Sequence, residues 1–444
     1  MIVHFRTFLN IFKIEDLRNK IAYTFGVLAF FRLGQFIPLP GINAKALISL
    51  AGSVTSGGFM SYLDIASGGA LKKGSIFALG ISPYIQASLM MQVLSISLPY
   101  LEALSKEGDI GRKIIGQYTR YLAVAISVVQ SMAFVAFLEA GFFSGYTGNL
   151  FINPGMASRL IAILMLSVGS ILVMWFGEQI SRYGIGYGSS LLIFASIVSG
   201  LPASIIKVVN GLMRGEFDLL IPLIVIAFVL AITAIIIFVE RGERRVPIQY
   251  ARKIVGSKVF GGTNSYIPFK LNAYGIMAVI LSGSIMSAIV MSSKLIAGFI
   301  PALSFLKDLM EFQSPFFLAL QAFTIMFFSY VYTAIMYDPI ELAEKIRKDG
   351  GFIPGIRPGR KTAECFNFIL QRIGLPGAIY IASLAIIPDL AIKMLSFPVG
   401  VSGLSVLIAV GVALDTASQI ESYLIERRYD GFLGSSRRIK GRRA

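Results

Sequence analysis

Ten long apolar runs divide the chain, near 20–37, 74–97, 118–138, 157–175, 188–206, 219–239, 271–292, 315–336, 375–392 and 403–421. A bilayer core of about 30 Å takes roughly 20 apolar residues per helical crossing. The pattern therefore predicts an all-α polytopic membrane protein with ten transmembrane helices. Five runs fall on each side of a midpoint near 210–218. The odd number inverts the second five relative to the first, the arrangement of transport proteins whose site lies at the midplane between two pseudo-symmetric halves. The halves are 1–210 and 211–444, and the longest gaps between runs are 240–270 and 337–374.

Charge gives these runs a direction. Of the 40 Lys and Arg, 29 lie at the termini and in every second gap, and 8 lie in the other gaps. Arg32, Arg120 and Arg159 fall within or at the ends of runs. Positive residues stay cytoplasmic during insertion, so both termini are expected inside. Charged residues make up only 14% of the chain, against about 25% in a soluble domain. The net charge of +16 forms no single basic domain, which argues against nucleic-acid binding. Insertion and anionic lipid account for most of it. The polar stretch Lys13–Lys20 ahead of the first run, with Ile37-Pro-Leu-Pro-Gly41 after it, reads as a retained span rather than a signal peptide.

Little covalent chemistry fits. One Cys, Cys365, and one His, His4, allow no internal disulfide and no Cys/His zinc site, and no metal or cofactor is expected. Arg32 and Asp415 lie inside runs without a partner three or four residues away, and Glu139, Glu178 and Asp389 sit at run ends. Such charges pair across helices or face water. They do not form the midplane acids of a proton- or sodium-coupled carrier, the competing reading being a secondary transporter of small solutes. A membrane-embedded protease or transferase would need a nucleophile and base within the spans, and none can be assembled.

Four stretches stand out. Residues 52–74 place Phe59–Ala66 between glycine clusters, too short to span. The segment reads either as an external loop with a short helix or as a small element folded back into a cavity, since irregular backbone at membrane depth must be enclosed by protein or water. Gly80-Ile-Ser-Pro-Tyr-Ile-Gln-Ala-Ser-Leu89 opens a span with Ile81 and Ile85 on one face. Glu240–Lys253 is basic. Asp349–Lys361 has four Gly and two Pro around Ile353, Ile356 and Arg357, a stiff cationic tip suited to docking a protein.

Together these strings resemble the SecY family of protein-conducting channels, over nearly the whole chain. The resemblance rests on Ser67-Gly-Gly-Ala70 with Ser75–Ile85, Glu107–Lys113 with Gln117–Arg120, Trp175–Ile180 with Gly184, Gly186 and Gly188, and Gly351-Phe-Ile-Pro-Gly-Ile-Arg-Pro-Gly359. It implies a central hourglass pore that passes unfolded preproteins and releases hydrophobic segments sideways into lipid, with no enzymatic step. It implies a pore ring at Ile81, Ile85, Ile193, Ile280 and Ile408, with Ser189 at a sixth, usually apolar, position. It implies a plug near 57–70, including Phe59, Met60, Tyr62, Leu63 and Ile65, and a lateral gate between the second and third spans and the seventh and eighth, with Ser88 and Gln130 as members. The implied partners are the small membrane subunits SecE and SecG, the SecA ATPase and the ribosome. Their docking surface would carry Arg241, Arg244, Arg245, Arg252, Lys253, Arg357 and Arg360. The implied location is the bacterial cytoplasmic (inner) membrane.

Overall fold

The first described helix, α1 (Glu15–Gly34), carries Glu15, Asp16, Arg18 and Lys20 on its opening turns before it becomes apolar. The computed structural model describes residues 14–43, 68–71, 73–139, 151–152, 155–215, 218–250, 253–255, 258–260, 264–271, 275–299, 305, 309–310, 314–336, 338–394 and 403–436. After α1 come α2 (Ser82–Ser97), α3 (Pro99–Lys106), α4 (Asp109–Glu139), α5 (Met156–Tyr183), α6 (Gly188–Met213) and α7 (Leu220–Glu240). Strands β1 (Glu243–Tyr250), β2 (Lys253–Val255), β3 (Lys258–Phe260) and β4 (Asn264–Lys270) follow. The chain continues with α8 (Gly275–Phe299), α9 (Pro315–Met336), α10 (Pro339–Lys348), β5 (Gly351–Phe352), α11 (Arg360–Met394) and α12 (Gly403–Ser436).

A helix overlaps each predicted run. Among the described residues, seven helices are long and apolar enough to cross a membrane, or eight if the bent pair of α2 and α3 is one span. The polar start of α1 dilutes its apolarity. Helix α2 is short because the run predicted as helical from 74 turns helical only at Ser82. Residues 68–71 and 73–81 are turns with one bridge residue, Ser75, instead, and Gly74 and Gly80 lie in the left-handed region at φ 58° and 56°. Neighbouring backbone satisfies this irregular stretch, as membrane depth demands. Ile76 N–H donates to the Ile37 carbonyl, Leu39 N–H to that of Gly74, and Ser75 Oγ to that of Gly34. Helix α2 then bends 98° into α3, where Pro99 opens the new helix.

Helix α2 packs on α4, α4 on α5, and α5 on α1 and α6; further along the chain α8 packs on α9, α9 on α11, and α12 on both α11 and α7. These two groups meet where α6 lies against α12 and α2 against α8. Helix α7 turns Leu223, Ile226, Leu230 and Phe238 outward, the last 82% exposed, an apolar face that suits lipid or another membrane helix. Two charges at run ends find partners across helices. Arg120 of α4 pairs with Glu178 of α5 at 2.7 Å. Asp389, 4% exposed on α11, accepts the Gly403 amide that opens α12, a carboxylate at the positive end of a helix.

Arg32, expected to lack a partner three or four residues away, finds one in Gln35 at the end of its own helix and joins three elements. Its guanidinium donates to Gln35 Oε1, to the Gly68 carbonyl at 2.8 Å and to Ser199 Oγ of α6 at 2.9 Å. Gly68 has φ 67°, and a Cβ there would lie 2.9 Å from the Ser196 backbone. Replacing Arg32 with Leu should therefore cost about 1–3 kcal/mol, the penalty for orphaned buried acceptors. The check is the thermal midpoint of the detergent-solubilised protein. A midpoint equal to that of the parent chain would mean that water replaces the guanidinium.

The gaps 240–270 and 337–374 were expected as loops, and they fold together. Strands β4, β1 and β5 form one antiparallel sheet, with Val246 opposite Ile267 and Gln249 opposite Phe352. Alternation on β1 sends Val246 and Ile248 inward while Arg245, Pro247 and Gln249 face out. Phe269, Ile346, Ile353, Phe366 and Leu370 close the core beneath. Pro247, lacking an N–H, pairs with Tyr266, and β5 pairs only with Gln249 and Tyr250.

Candidate functional site: an apolar collar, its seam and a basic sheet

The pore-ring candidates come from separate elements and meet in one apolar cluster. Ile81 and Ile85, each 7% exposed, flank the start of α2, and Ile408, 8% exposed, comes from α12. Ile193 of α6 and Ile280 of α8 are half-buried and pack against the same cluster. Ile81 is the residue before the first turn of α2, and its carbonyl accepts the Ile85 N–H, so the two side chains stack one turn apart. The cluster also contains Val173, Leu192 and Ile381, which only pack.

Ser189 stands in the first turn of α6, one turn before Ile193, and is half-buried. Helices α5 and α6 nearly touch there. A Cβ at Gly188 would fall 1.9 Å from the Gly177 carbonyl, and one at Gly177 would fall 3.2 Å from Ile81 Cδ1 and 3.6 Å from the Ser189 amide. Ser189 thus borders the Ile81 side of the cluster at a crossing that accommodates only small residues.

Polar groups mark the flank of α2. Gln130 of α4 donates to Gln86 Oε1 at 2.6 Å, and Ser88 is half-buried on the same helix. Gln86 was not singled out from the sequence. Neither was the contact on the other side of α2, where Tyr332 Oη of α9 donates to Gln92 Oε1 at 3.0 Å. The plug residues Phe59, Met60, Tyr62, Leu63 and Ile65, and Arg252 as well, lie outside the described residues.

The described basic candidates lie on or just before β1, on the separate β2–β3 sheet, and at the tip after β5. Arg241, Arg244 and Arg245 are exposed at the start of β1, and Lys253 belongs to β2. Arg245 pairs with Glu243 at 2.6 Å and lies over the Tyr266 ring at 4.6 Å. Strand β5 leads into a tip whose backbone is held from within. Ile353 is buried, Ile356 packs on the sheet core, Thr362 Oγ1 donates to the Arg357 carbonyl, and Gly350, Gly355 and Gly359 take φ of 74°, 82° and 105°. The Arg357 side chain is exposed, as is Arg360, which pairs with Glu364 at 3.6 Å.

The SecY family model matches residues 75–417. Relatives called protein translocase subunit SecY include one from Streptomyces scabiei, 40% identical over 441 residues, covering 96% of this chain and 99% of that one. Another, from Thermus thermophilus, is 38% identical over 444 residues, covering 98% and 99%. Among solved structures, one described as a protein conducting channel superposes with TM-score 0.63 at 17% identity, covering 91% of this chain and 92% of that one. Canine Sec61, in a ribosome–channel complex from the endoplasmic reticulum, gives 0.59 at 17% identity over the same shares. With the family model covering most of its length and full-length relatives near 40% identity, this chain belongs to the SecY family.

Proposed function

We propose that this chain is the central pore-forming subunit of a protein translocation channel. It passes unfolded preproteins across the membrane and releases hydrophobic segments sideways into lipid. The observation that carries the reading is the convergence of Ile81, Ile85, Ile193, Ile280 and Ile408 from α2, α6, α8 and α12 on one cluster, in a chain of this family. A narrow aliphatic collar strips an ion of its hydration shell and is poorly wetted. Branched aliphatic side chains still yield to diverse passing residues. Segments then sort by hydrophobicity, at about −0.3 to −0.6 kcal/mol per central Leu or Ile against +2.5 to +3.5 for a charge. This is gating and partitioning without covalent catalysis. A secondary transporter of small solutes has no support in the family, and of the acids at run ends Asp389 is engaged with the Gly403 amide and Glu178 with Arg120.

On this reading ten helices cross the bilayer in two pseudo-symmetric halves, 1–210 and 211–444, with α1, α2 and α8 counted as spans. Both termini and the β-sheet lie in the cytoplasm of a bacterium whose inner membrane holds the protein. Residues 57–70 form the plug. The lateral gate runs between α2 with α4 and α8 with α9, and Ser88 and Gln130 line it. SecE and SecG accompany the chain in the membrane. SecA and the ribosome dock on Arg241, Arg244, Arg245, Arg252, Lys253, Arg357 and Arg360. The ribosome-bound Sec61 structure supports such docking by analogy.

A crosslinking map tests the pore. A stalled secretory chain is expected to attach to photoreactive probes at Ile85, Ile193, Ile280 and Ile408 and to leave probes at Leu223 and Phe238 on the outer face unlabelled. Equal labelling of both sets would sink the reading.

A further inference from the structure

Asp415 of α12 is an intramembrane charge that the fold leaves without a close partner. Among the described residues it makes no hydrogen bond and no ion pair. The other charges within or at the ends of runs behave differently. Arg32 binds Gln35, Gly68 and Ser199, Glu178 pairs with Arg120, and Asp389 accepts the Gly403 amide. Lys270, exposed at the end of β4, acts on Asp415 only electrostatically, from beyond ion-pair distance. A carboxylate at this depth is rare in membrane proteins; it faces water or the interior and marks a substrate path. Nothing in the collar, the sheet or the packing of α12 uses this one.

Its position on the helix fixes what it faces. Asp415 follows Ile408 by seven residues on a continuous helix. Two turns return the side chain to within about 20° of the same direction. Leu404 and Ile408 on that stripe are buried in the apolar cluster, and Asp415 is exposed. At 1.5 Å per residue it stands about 10 Å along α12 from Ile408, toward Lys270 and the sheet. The next residue, Thr416, lies beside the turn between α5 and α6, where a Cβ at Gly186 would come 3.4 Å from its Oγ1. That turn leads directly into Ser189 and Ile193. The carboxylate therefore belongs to the wall just before the collar, on the side where the sheet lies.

We infer that Asp415 is a binding site for lysine and arginine side chains of the polypeptide in transit, holding a cationic flank on the sheet side while the apolar segment beside it occupies the collar. The inference rests on the pore reading above and adds a recognition element to it. The aliphatic collar offers a cation nothing, whereas the carboxylate attracts it and repels an acidic flank. The spacing sets a register. An extended chain rises about 3.3 Å per residue, so the residue facing Asp415 stands about three positions from the one in the collar. In a helical segment the offset is about seven.

The test uses the full channel complex in proteoliposomes and model preproteins whose apolar segment carries two Lys, two Gln or two Glu at one end. Protease protection scores how often that flank stays on the sheet side. Asp415→Asn keeps the shape and removes the charge. It is expected to lower the retained-to-translocated ratio of the Lys flank about two- to fivefold, the range of one partly solvated ion pair, with the Gln flank moving by less. Asp415→Lys is expected to lower Lys retention further and to raise Glu retention above that of the parent channel, a reversal that a merely structural role would not produce. An unmoved Lys ratio in Asp415→Asn overturns the site, as does an equal shift for the Gln flank. In a Cys365→Ser background, Ile408→Cys and Asp415→Cys should form disulfides with a stalled extended chain at positions about three residues apart. No disulfide at 408 overturns the pore reading itself. Attachment at 408 without attachment at 415 leaves that reading standing and removes only the cation site.

Discussion

Ile408→Asn should raise the ion conductance of the resting channel at least about tenfold in planar bilayers, because each 1.4 kcal/mol removed from a barrier is a factor of ten in rate. Ile408 stands beside Leu404 and Leu407, which are 2% and 1% exposed, in the cluster that also holds Ile81 and Ile85. An amide there gives water two donors and an acceptor where the aliphatic wall offers none, so an ion can keep part of its hydration shell across the proposed constriction. Ile193→Asn is the cleaner companion. Ile193 is only half-buried and packs on the edge of the cluster, so the substitution costs the fold less while acting on the same opening. Ile408→Leu conserves volume and polarity and should leave conductance near that of the parent chain. Unchanged conductance in both Asn variants, with protein of normal abundance, would remove Ile408 and Ile193 from the constriction.

Arg357→Glu should abolish SecA-driven import of preproteins into vesicles while the channel still folds and inserts. The tip around Arg357 is shaped by forces that do not involve its charge. Ile353 and Ile356 anchor it to the sheet core, Thr362 holds the Arg357 carbonyl, and three glycines take left-handed turns that other residues adopt only under strain. The guanidinium itself is exposed. Reversing an exposed charge shifts stability by about 0.5 kcal/mol or less. Removing an interface Arg that is a hot spot costs about 2–4 kcal/mol, or roughly 30- to 1,000-fold in affinity. Arg360, already paired with Glu364, should matter less on reversal. Import at the parental rate by the Arg357→Glu protein would rule out a docking role for the tip.

Much of the architecture was legible because a bilayer imposes a length. Twenty apolar residues in a row have few other uses, and each predicted run has a helix on it. Period-two alternation of Val246 and Ile248, then Ile267 and Phe269, was present on β1 and β4, but basic residues between them read as a topological signal first. The turns at 73–81 were obscured because Ile76, Phe77, Ala78 and Leu79 are as apolar as any helix, while Gly74 and Gly80 mark the change of backbone. The ring candidates came from family resemblance, and geometry brings them together. Periodicity cannot name long-range partners. Arg32 with Ser199, Arg120 with Glu178, Asp389 with Gly403 and Gln92 with Tyr332 are matched by how helices pack, and nothing local in either member announces the other.

The order of the strands has a consequence for biogenesis. Strand β1 can zip to β4 as soon as residue 270 is made, but its other edge waits for β5, about 80 residues later. At about 5–20 residues per second, that edge stays unpaired for roughly 4–16 s more, and the apolar floor supplied by Phe366 and Leu370 arrives later still. On the proposed docking role, a half-synthesised copy therefore lacks the finished sheet on which a partner would seat.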